Sequence, residues 1–497
     1  MEHPADYDAI VIGLGPVGLL MANLLGQQGH KVLGIDKVTD SYQFPRAIHL
    51  DAEVIRIMQV AGLADELLPL LRPCPFLELN DQKFRPLFRA SINFYSGYAA
   101  NDFMFYQPEL EALLKKGCER FPNVILRWGT EVTGISQNAS GVEVESVGLA
   151  PDRATYLIAC DGAKSGVRQW LNIPQKEFGF EKGALKIDAL EEGDETIDTL
   201  HVQKICSHRN PWVRMKGRGT HRRWELNYTM TMSKGEYEKP ETTIKLLEEI
   251  GVDTRKLEIV HAVWYRFRGA LSTKWQSGRV FLAGDAAHVT PPYIGQGMCA
   301  GFRDALNLSW KLDLVLSKTH RKELLDTYQP ERLPQVKIQI LLAIAIGKVF
   351  TTRLWYLLWF LSRLPLIGGL LRNIKLPLDP QGKTGIWGKG RAIRGLFPQF
   401  NMPSGQLTDH LLGKKWAMVG IGHTFSKEEI QSAETAGLQL ATLPDDGTNM
   451  DFFNTWTKRK KARFYIVRPD LYVFSSGNDP IAMVREFERI FVKPYQN

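Results

Sequence analysis

The start of the chain carries the pattern that most restricts its fold. Asp8–Ile12 is a short apolar run typical of a buried strand, Gly13–Gly18 reads GLGPVG, and Leu19–Gln28 has helical character. A second apolar run, Lys31–Ile35, ends immediately before Asp36. This is the order of a βαβ unit in which backbone approaches a pyrophosphate at a helix N-terminus. The segment therefore predicts a Rossmann-like α/β domain that binds a dinucleotide.

The residues of this unit have separate predicted tasks. The glycines allow a tight turn close to the pyrophosphate, and the acid after the second strand can bind ribose hydroxyls. Lys37, rather than an arginine, follows that acid, which favours an adenine ribose without a 2′-phosphate. The candidate dinucleotide-binding residues are Gly13, Gly15, Pro16, Val17, Gly18, Asp36 and Lys37.

A second segment, Arg279–Leu312, combines a strand end, a carboxylate and a helix start. Val280–Ala283 is typical of a buried strand, and Asp285 follows it closely. Met298–Leu312 has helical spacing after a glycine-rich turn. Backbone N–H groups at such a helix start suit a phosphate and a developing anion. The candidate residues in this segment are Asp285, Pro292, Gly295, Gly297, Met298 and Cys299.

A third segment, Tyr156–Arg168, reads YLIACDGAKSGVR. Leu157–Cys160 is typical of a strand, Asp161 and Gly162 form a sharp turn, and a short helix follows. Taken alone, this is as well explained by an ordinary strand–turn–helix with a capping Asp. Asp161 and Gly162 are binding candidates only through the order of the three segments along the chain, which is the order found in a known family.

In this order, the three segments resemble the flavin-dependent aromatic hydroxylases, which are single-component FAD monooxygenases (class A flavoprotein monooxygenases). Phe44–Asp51 is similar to the family's PRA segment at the edge of the flavin ring. Tyr106–Glu111 is similar to the element whose glutamine contacts the ribityl chain. Arg468–Phe474, RPDLYVF, resembles a strand of the phenol-hydroxylase-like branch.

Within that branch, the middle of the chain is similar to the 3-(3-hydroxyphenyl)propionate/3-hydroxycinnamate hydroxylases. Val202–Arg209, VQKICSHR, and His221–Leu226, HRRWEL, resemble two of their segments. Ser207 and His208 stand where those enzymes carry Asp-Pro. The resemblance therefore leaves the ring compound open.

The resemblance implies an α/β fold: a Rossmann-like FAD-binding domain of the para-hydroxybenzoate hydroxylase type, a β-sheet substrate domain, and a C-terminal thioredoxin-like domain lacking CxxC. It implies bound FAD, transient NADH or NADPH, and O2. The expected activity is hydroxylation of a phenolic or heteroaromatic substrate through a flavin C4a-hydroperoxide, in aromatic compound catabolism. Two alternatives stay open: an epoxidase, quinone-handling enzyme or dehydrogenase acting on a lipophilic substrate, and a non-catalytic flavin-fold binding protein.

The resemblance also implies roles for single residues. Arg46 and Gln107 position the flavin, Asp285 binds the ribityl chain, and Pro292 is a rigid element over the reacting face. His49 is either an acid/base group near the ring or a cap of the following helix. The remaining candidates are Tyr228 and His208 as weaker catalytic groups, His288 for packing, and Val132 as a further flavin contact.

The chain divides into four predicted segments. Residues 1–172 form the first part of the FAD-binding domain, 173–270 a substrate-binding sheet of short strands, 271–395 the return of the FAD-binding domain with apolar helices, and 396–497 the C-terminal domain. The last segment reads β-α-β-α-β-β-α, which is a thioredoxin-like order. It lacks CxxC, so disulfide exchange is excluded and a structural or oligomerisation role is favoured.

Composition narrows the partners. The net charge is +8, but the basic residues are spread along the chain, and the dense run Lys458–Arg463 is typical of a solvated face. We expect a small aromatic substrate, no nucleic acid, no metal, and a monomer or homodimer. Five cysteines without a CxxC pair, and no signal peptide, predict a reduced, cytoplasmic protein.

The stretch Ile338–Leu371 is strongly apolar. Lys348, Arg353 and Arg363 interrupt it, so each uncharged run is too short for the roughly 18–20 residues of a spanning helix. We therefore predict no spanning helix, and expect amphipathic helices on the flavin domain or around a hydrophobic pocket. Peripheral membrane contact through Trp355, Tyr356 and Trp359 stays open.

Overall fold

Four β-sheets, of eight, nine, four and three strands, organise the part of the chain that the structure describes. The structure is a computed structural model, and it describes residues 6–40, 45–92, 98, 100–193, 197, 199–227, 234–372, 374–376, 382, 384–402, 405–412, 414–444, 456 and 458–495.

The eight-stranded sheet is built on the predicted βαβ unit. Tyr7–Ile12 pairs in parallel with Val32–Ile35, and the helix Pro16–Gln27 connects them. This confirms the predicted Rossmann-like unit. The other strands of this sheet are Val124–Arg127, Val132–Gln137, Val142–Ser146, Asp152–Ala159, Gln276–Ser277 and Val280–Leu282.

Close packing of helices against the first turn depends on two glycines. A Cβ on Gly18 would lie 1.8 Å from the carbonyl oxygen of Gly13, so the turn and the helix touch through bare backbone. A Cβ on Gly301 would lie 2.5 Å from a methyl group of Val17. Gly301 belongs to the helix Gly297–Leu316, which therefore packs directly beside the glycine-rich turn.

The nine-stranded sheet differs from the expected sheet of short strands. Two long strands, Gln175–Glu191 and Leu257–Ser272, pair antiparallel along most of their lengths. Their register shifts after Glu177 and again after Asp188, and these irregularities interrupt the alternating pattern in the sequence. The other strands are Leu77–Asn80, Pro86–Ile92, Val202–Ile205, Trp212–Lys216, His221–Leu226, His288–Val289 and Ile374–Leu376.

Four strands of this sheet come from outside 173–270. Leu77–Asn80 and Pro86–Ile92 lie within the predicted first part of the FAD-binding domain, and His288–Val289 and Ile374–Leu376 lie within its return. The two domains are therefore more interleaved along the chain than the predicted segments suggest. The segment boundaries themselves stay a prediction.

The C-terminal unit has a four-stranded sheet. Ala417–Ile421 pairs in parallel with Gln439–Leu443 and antiparallel with Phe464–Val467, which pairs antiparallel with Val473–Gly477. The second helix of the predicted β-α-β-α-β-β-α order is expected over Asp451–Lys460, and most of it lies outside the described residues. The described elements follow the predicted order, and the thioredoxin-like assignment stays a prediction. The helices of this unit are Thr408–Leu412, Lys427–Thr435, Pro480–Phe487, the π-helical Glu488–Val492 and Lys493–Tyr495.

The remaining elements connect these sheets. The three-stranded sheet contains His49–Asp51, Arg72–Pro73 and Asp102–Met104. The other helices are Ala52–Val60, Ala64–Leu67, Gln107–Cys118, Gly166–Trp170, Lys234–Tyr237, Pro240–Glu249, Tyr328–Thr351, Leu354–Ser362 and Pro365–Leu371. Short 3₁₀ turns cover Leu68–Leu70, Gly284–Ala286, Pro292–Ile294 and Lys322–Thr327.

One helical stretch, Lys322–Thr351, is long and apolar enough to cross a membrane by length and composition. Half of its most apolar window is buried inside the protein, as in the core helix of a globular domain. Two further helices, Leu354–Ser362 and Pro365–Leu371, meet at a bend of 117°. The structure therefore gives no clear membrane span among the described residues.

A buried group of charges attaches the C-terminal unit to the helix Gly297–Leu316. Arg468 donates to Glu331 at 2.7 Å and to Asp470 at 2.6 Å. Lys311 donates to the same Glu331 at 2.8 Å, and Asn307 donates to Asp470 at 2.9 Å. All five side chains are buried. Loss of one acid would leave uncompensated buried cations, which is far more costly than loss of an exposed pair.

We expect Glu331→Ala to lower the free energy of unfolding by about 3–5 kcal/mol, because Lys311 and Arg468 lose their shared carboxylate. Urea unfolding of the purified chain measures this change. The matched control is Asp253→Ala, which removes an exposed ion pair with Arg255 and should leave the unfolding midpoint unchanged. Equal, small changes for both variants would contradict this account of the interface.

Candidate active site

A groove of about 430 Å³ lies where the parallel strands of the eight-stranded sheet end. The turn that follows Ile12, the acid that follows Ile35 and the turn that follows Ala159 all contribute to its wall. Carboxyl ends of parallel strands are the usual place for a ligand in such a sheet. The predicted residues that line this groove are Gly13, Gly15, Pro16, Asp36, Lys37, Arg46, Gln107, Val132, Asp161 and Gly162.

The glycines of the first turn have different roles. Gly13 has φ +95°, and a Cβ there would lie 2.5 Å from the carbonyl oxygen of Cys160, so this position requires glycine for the fold. Gly15 has φ −72°, and a Cβ there would meet nothing within 4 Å. Gly15 therefore borders open space that a pyrophosphate can enter, at the start of the helix Pro16–Gln27.

Asp36 closes the turn from the second strand. Its carboxylate accepts hydrogen bonds from the backbone N–H of Leu14 at 2.7 Å and of Val38 at 3.1 Å. Each oxygen has a further lone pair for a ligand hydroxyl. The carboxylate therefore fixes the turn and also faces the groove where an adenine ribose is expected.

Asp161 offers an acceptor that the protein leaves unsatisfied. One carboxylate oxygen accepts from the backbone N–H of Val167 at 3.2 Å, whereas the other, Oδ1, is buried without a hydrogen-bond partner. Burial raises the pKa of this carboxyl, although Ser165 and backbone N–H groups oppose the shift. Beside it, Gly162 has φ +81° and open space at its Cβ position. An orphaned acceptor next to an open glycine fits a ligand hydroxyl.

A second cavity of about 330 Å³ continues from the groove towards the nine-stranded sheet. Gly15, Pro16, Arg46, Gln107 and Gly162 line both spaces, so one elongated ligand can pass from one to the other. Further predicted residues on the wall of this cavity are Val17, His49, Asp285, Pro292, Gly295, Gly297 and Met298.

The helix Gly297–Leu316 begins at this cavity. Gly295 adopts the left-handed φ of +66°, and a Cβ on Gly297 would meet nothing within 4 Å. The first N–H groups of a helix have no partner within the helix and carry partial positive charge. This helix start therefore suits negative charge on a ring system in the cavity.

Two predicted residues of this region are buried behind the cavity wall. Gly18 provides the backbone contact with Gly13 described above. The thiol of Cys299 lies 3.7 Å from the carbonyl oxygen of Gly295, and burial raises its pKa well above the usual value. Cys299 is therefore a packing residue with an unreactive thiol, and its contribution to binding is limited to its backbone.

Asp285 and His288 have opposite environments. The Asp285 side chain faces the open space of the cavity. The protein around the cavity partly removes its carboxyl from water, and this desolvation raises the pKa of the carboxyl. His288 is fully buried, 2.6 Å from Asp304, which also accepts from Arg332 at 2.9 Å. Asp285 is therefore available to a ligand, whereas the structure places His288 in a packing network, as the sequence predicted.

Gln107 holds the backbone of the loop that contains Arg46 and Ala47, which we call the Arg46 loop. Its side-chain oxygen accepts from the backbone N–H of Arg46 at 2.8 Å and of Ala47 at 2.6 Å, and its amide donates to Glu111 at 2.6 Å. The side chain of Gln107 and the backbone of the Arg46 loop are therefore fixed relative to each other, and both contribute to the wall of the cavity.

A group of buried charges that the sequence analysis did not identify holds the same loop from above. Arg223 donates to the carbonyl oxygens of Pro45 at 2.8 Å and Arg46 at 3.1 Å, and to Asp188 at 2.7 Å. Lys186 also donates to Pro45, and burial together with Arg223 lowers the pKa of its ammonium to about 8. The nine-stranded sheet thus fixes the position of Arg46 at the cavity.

His49 lies between a carboxylate and the turn before the helix. Its Nε2 is 2.7 Å from Asp102, and its Nδ1 is 3.3 Å from the carbonyl oxygen of Gly295. Burial lowers the pKa of the ring, but Asp102 and Asp51 outweigh this effect and raise it overall. The cap of the following helix is Asp51, which accepts from Val54 at 3.1 Å. His49 therefore lines the cavity and does not cap that helix.

Arg303 joins the helix start to its neighbours. It donates to Asp51 and Glu53 at 2.6 Å each, and to the side-chain oxygen of Gln296 at 3.0 Å. Tyr472, from the RPDLYVF segment, donates to the same Glu53 at 2.7 Å. These side chains are all buried. One hydrogen-bond network therefore joins the turn that ends at Gln296, the helix Ala52–Val60 and the C-terminal unit.

Lys204 is the second feature that the sequence analysis missed. It lines the cavity at only 4% exposure, with its ammonium 5.7 Å from the rings of Tyr293 and Phe350. Burial lowers its pKa, whereas Glu225 on the same cavity wall raises it. Among the described residues its ammonium makes no hydrogen bond. The sequence did carry a sign of this burial, because Lys204 lies on the same strand face as the apolar Val202 and Cys206.

The two weaker catalytic candidates are Tyr228 and His208. Tyr228 lies outside the described residues, so its role stays a prediction. His208 is exposed, 6.4 Å from the ring of Tyr356, and is not among the residues that line the cavity.

Comparison with known proteins agrees with this geometry. The sequence profile of the FAD binding domain family matches residues 6–340. A 3-(3-hydroxy-phenyl)propionate/3-hydroxycinnamic acid hydroxylase of Klebsiella pneumoniae (strain 342) is 32% identical over 447 residues, which cover 85% of this chain and 79% of that enzyme. The enzyme of the same name from Escherichia coli (strain K12) is 30% identical over 527 residues, covering 96% and 94%.

Solved structures show the same fold at lower identity. Aklavinone-11 hydroxylase in complex with FAD and aklavinone superposes with a TM-score of 0.80 and 20% identity over 99% of this chain and 100% of its own. The flavin-dependent monooxygenase PieE with FAD and substrate gives a TM-score of 0.81 and 20% identity over 98% and 99%. At this identity the likeness describes the fold alone.

We expect Gly15→Ala to fold normally and to lose flavin. A methyl group fits the backbone there without a clash, but it occupies the space open to the pyrophosphate. The absorbance spectrum of the purified chain and a titration with FAD give the affinity, which should fall about tenfold or more, equivalent to at least 1.4 kcal/mol. Gly235→Ala, at another open position, is the control. Full flavin content in Gly15→Ala would remove this turn from the binding site.

The His49–Asp102 pair predicts a pH-dependent stability. Since the folded pKa of His49 lies above 6.5, its stabilising effect is complete below pH 6.5 and is lost as the pH rises through the folded value. The difference in melting temperature between wild type and His49→Gln should therefore become smaller as the pH rises from 6 to 9. His320→Gln is the control, because burial lowers the pKa of His320 and its difference should not shrink. A constant His49 difference would rule out the charged pair.

Proposed function

Because the chain belongs to the FAD binding domain family and is an FAD-dependent aromatic monooxygenase, we propose that its substrate is a phenolic acid. The observation that carries this proposal is Lys204, a buried ammonium on the cavity wall beside aromatic rings. The relatives named above act on 3-(3-hydroxyphenyl)propionate and 3-hydroxycinnamic acid, which combine a phenol and a carboxylate on one small molecule.

In this proposal, the groove and the cavity hold different parts of FAD. The pyrophosphate fits at Gly15 and the start of the helix Pro16–Gln27, and the adenine ribose fits at Asp36. The free oxygen of Asp161 and the exposed carboxylate of Asp285 suit the hydroxyls between these groups and the ring. Arg46 and Pro292 lie where the ring system enters the second cavity.

When bound and reduced by NADH or NADPH, FAD would supply the activation of dioxygen, of which one oxygen atom enters the aromatic ring and the other leaves as water. The protein residues bind and shield. The N–H groups at Gly297 and Met298 stabilise negative charge on the ring system through the helix start. Tyr293, Ile346 and Met215 cover the cavity with apolar surface, which excludes water from the reacting atoms.

Lys204 binds the anionic group of the substrate in this proposal. An ammonium buried among aromatic rings has lost its hydration, so a carboxylate that reaches it gains a charge-assisted hydrogen bond. Glu225 lies on the same wall and disfavours a second anion nearby, which sets one orientation of the substrate. The phenolic hydroxyl then points away from Lys204, towards the cavity wall that contains His49 and Pro292.

A lipophilic substrate is the second candidate. Phe76, Leu77 and Val202 give the same cavity an apolar wall that a ring with an alkyl substituent would also fit. A panel that varies charge and chain length separately distinguishes the two candidates, since a lipophilic substrate does not depend on the charge of Lys204. Oxygen incorporation separates hydroxylation from dehydrogenation, and product structure separates it from epoxidation.

We propose a monomer or homodimer in a reducing compartment such as the cytoplasm. All five cysteines are free in the structure, and the thiols of Cys74 and Cys118 are buried with pKa values raised to about 12. Thiols of this kind do not require an oxidising environment.

The test of the proposed function is the steady-state oxidation of NADH and NADPH with phenolic acids by Lys204→Met. We expect KM for the acid to rise about 10- to 150-fold, the value of one charge-assisted hydrogen bond, while kcat changes little. The neutral methyl ester of the same acid should show no change. Lys204→Arg should restore part of the affinity, and the exposed Lys176→Met is the control. Equal effects on acid and ester would contradict the assignment.

A further inference from the structure

Two short helices after the cavity-lining helix expose large apolar side chains. Leu366 is 85% exposed, Leu370 72%, Leu357 59% and Phe360 58%, and Leu354 and Ile367 are also exposed. We call this surface the apolar patch. Apolar surface of this kind is unusual on a protein that has no partner for it, and clusters of this sort mark sites of interaction.

The charges around the apolar patch have one sign. Between Glu331 and Asp379 the sequence contains no acidic residue. Among the side chains that the structure describes, the exposed cations of this stretch are Lys337, Lys348, Arg353, Arg363 and Arg372. Among the described residues none of these five pairs with a carboxylate, and Arg363 lies 4.6 Å from the ring of Trp359 instead. An apolar surface with a cationic rim is complementary to an anionic lipid surface.

The geometry of the two helices fits a surface and not a span. Leu354–Ser362 and Pro365–Leu371 are about 14 Å and 11 Å long at 1.5 Å per residue, against about 30 Å of hydrocarbon. They meet at 117°, so they cannot add their lengths. The aromatic rings Tyr356, Trp359 and Phe360 are of the type found at membrane interfaces.

We propose that the apolar patch binds the surface of a bilayer that contains anionic lipid. The apolar side chains enter the headgroup region, and the arginines and lysines at the rim contact lipid phosphates. This inference does not depend on the substrate proposed above, because it concerns another surface of the protein.

The two helices that carry the patch pack against elements that line the cavity, namely the strand Pro86–Ile92 and, for Leu354–Ser362, the helix Tyr328–Thr351. In the helix Tyr328–Thr351, Ile346 lines the cavity, and a Cβ on Gly347 would lie 2.5 Å from the ring of Tyr293. Ile374, which follows the patch, pairs with Ala90, another cavity residue. Bilayer binding therefore brings the wall of the substrate cavity close to the lipid surface, where ring compounds with apolar substituents concentrate.

A second copy of the chain is a less suitable occupant. A symmetric dimer through the patch places the same surface on both sides, so cations of one copy would face cations of the other. The patch sequence provides no acid to compensate them. Charge complementarity therefore favours an anionic bilayer over self-association.

The test is co-sedimentation of the flavin-containing full-length protein with vesicles. One vesicle preparation is phosphatidylcholine alone, and the other includes phosphatidylglycerol. We expect binding to the anionic vesicles that weakens with salt, and at least about tenfold weaker binding to the neutral vesicles. Leu366→Glu with Leu370→Glu should remove binding, and each rim arginine changed to alanine should weaken it about fivefold.

Controls separate the patch from general effects of charge. Leu149→Glu adds an acid at another exposed leucine, and Lys176→Glu with Lys182→Glu reverses two exposed cations on the nine-stranded sheet. These variants should bind like wild type, and every variant should keep its flavin absorbance and melting temperature. Equal binding to both vesicle types, equal loss in the controls, or a dimer that Leu366→Glu converts to a monomer without vesicle binding would each overturn the proposal.

Discussion

The turn that precedes the helix Gly297–Leu316 at the cavity depends on Arg303 for its position. Its guanidinium is buried between Asp51 and Glu53 and also donates to Gln296, the residue immediately before the helix at the cavity. A buried cation of this kind requires both acids, since loss of either leaves charge without compensation. The acids belong to the helix Ala52–Val60 and its cap, and Tyr472 connects Glu53 to the C-terminal unit. The helix start is therefore rigid because three separate parts of the chain meet there.

The Arg46 loop is the second fixed point of the site. Gln107 holds its backbone from one side, and Arg223 and Lys186 hold its carbonyl groups from the other. These contacts join the dinucleotide-binding sheet to the nine-stranded sheet directly above the cavity. The two sheets therefore determine together where the backbone beside the flavin ring lies. Catalysis by positioning requires preorganisation of this kind.

Local patterns were sufficient to predict the turns and their neighbouring elements, because a strand, a glycine turn and a helix are defined within a few residues. They predicted Gly15, Asp36, Asp161 and Asp285 as groove or cavity residues, and the structure brings all four there. The contact of Arg223 with Pro45 joins positions 178 residues apart, and no local pattern reports it. The long strands were missed because register shifts interrupt their alternation. Lys204 was readable as a lysine on an apolar strand face, but only the cavity shows what it faces.

We propose that this chain inserts one atom of dioxygen into the ring of a phenol that also carries a carboxylate. The most direct measurement is the reaction of the flavin-containing protein with NADH or NADPH, a panel of phenolic acids and their esters, and isotopically labelled dioxygen, with peroxide measured in parallel. We expect one labelled oxygen atom in the product for each nicotinamide oxidised, with little peroxide, and a lower KM for an acid than for its ester. Products without label, or nicotinamide oxidation that yields only peroxide with every compound, would contradict it.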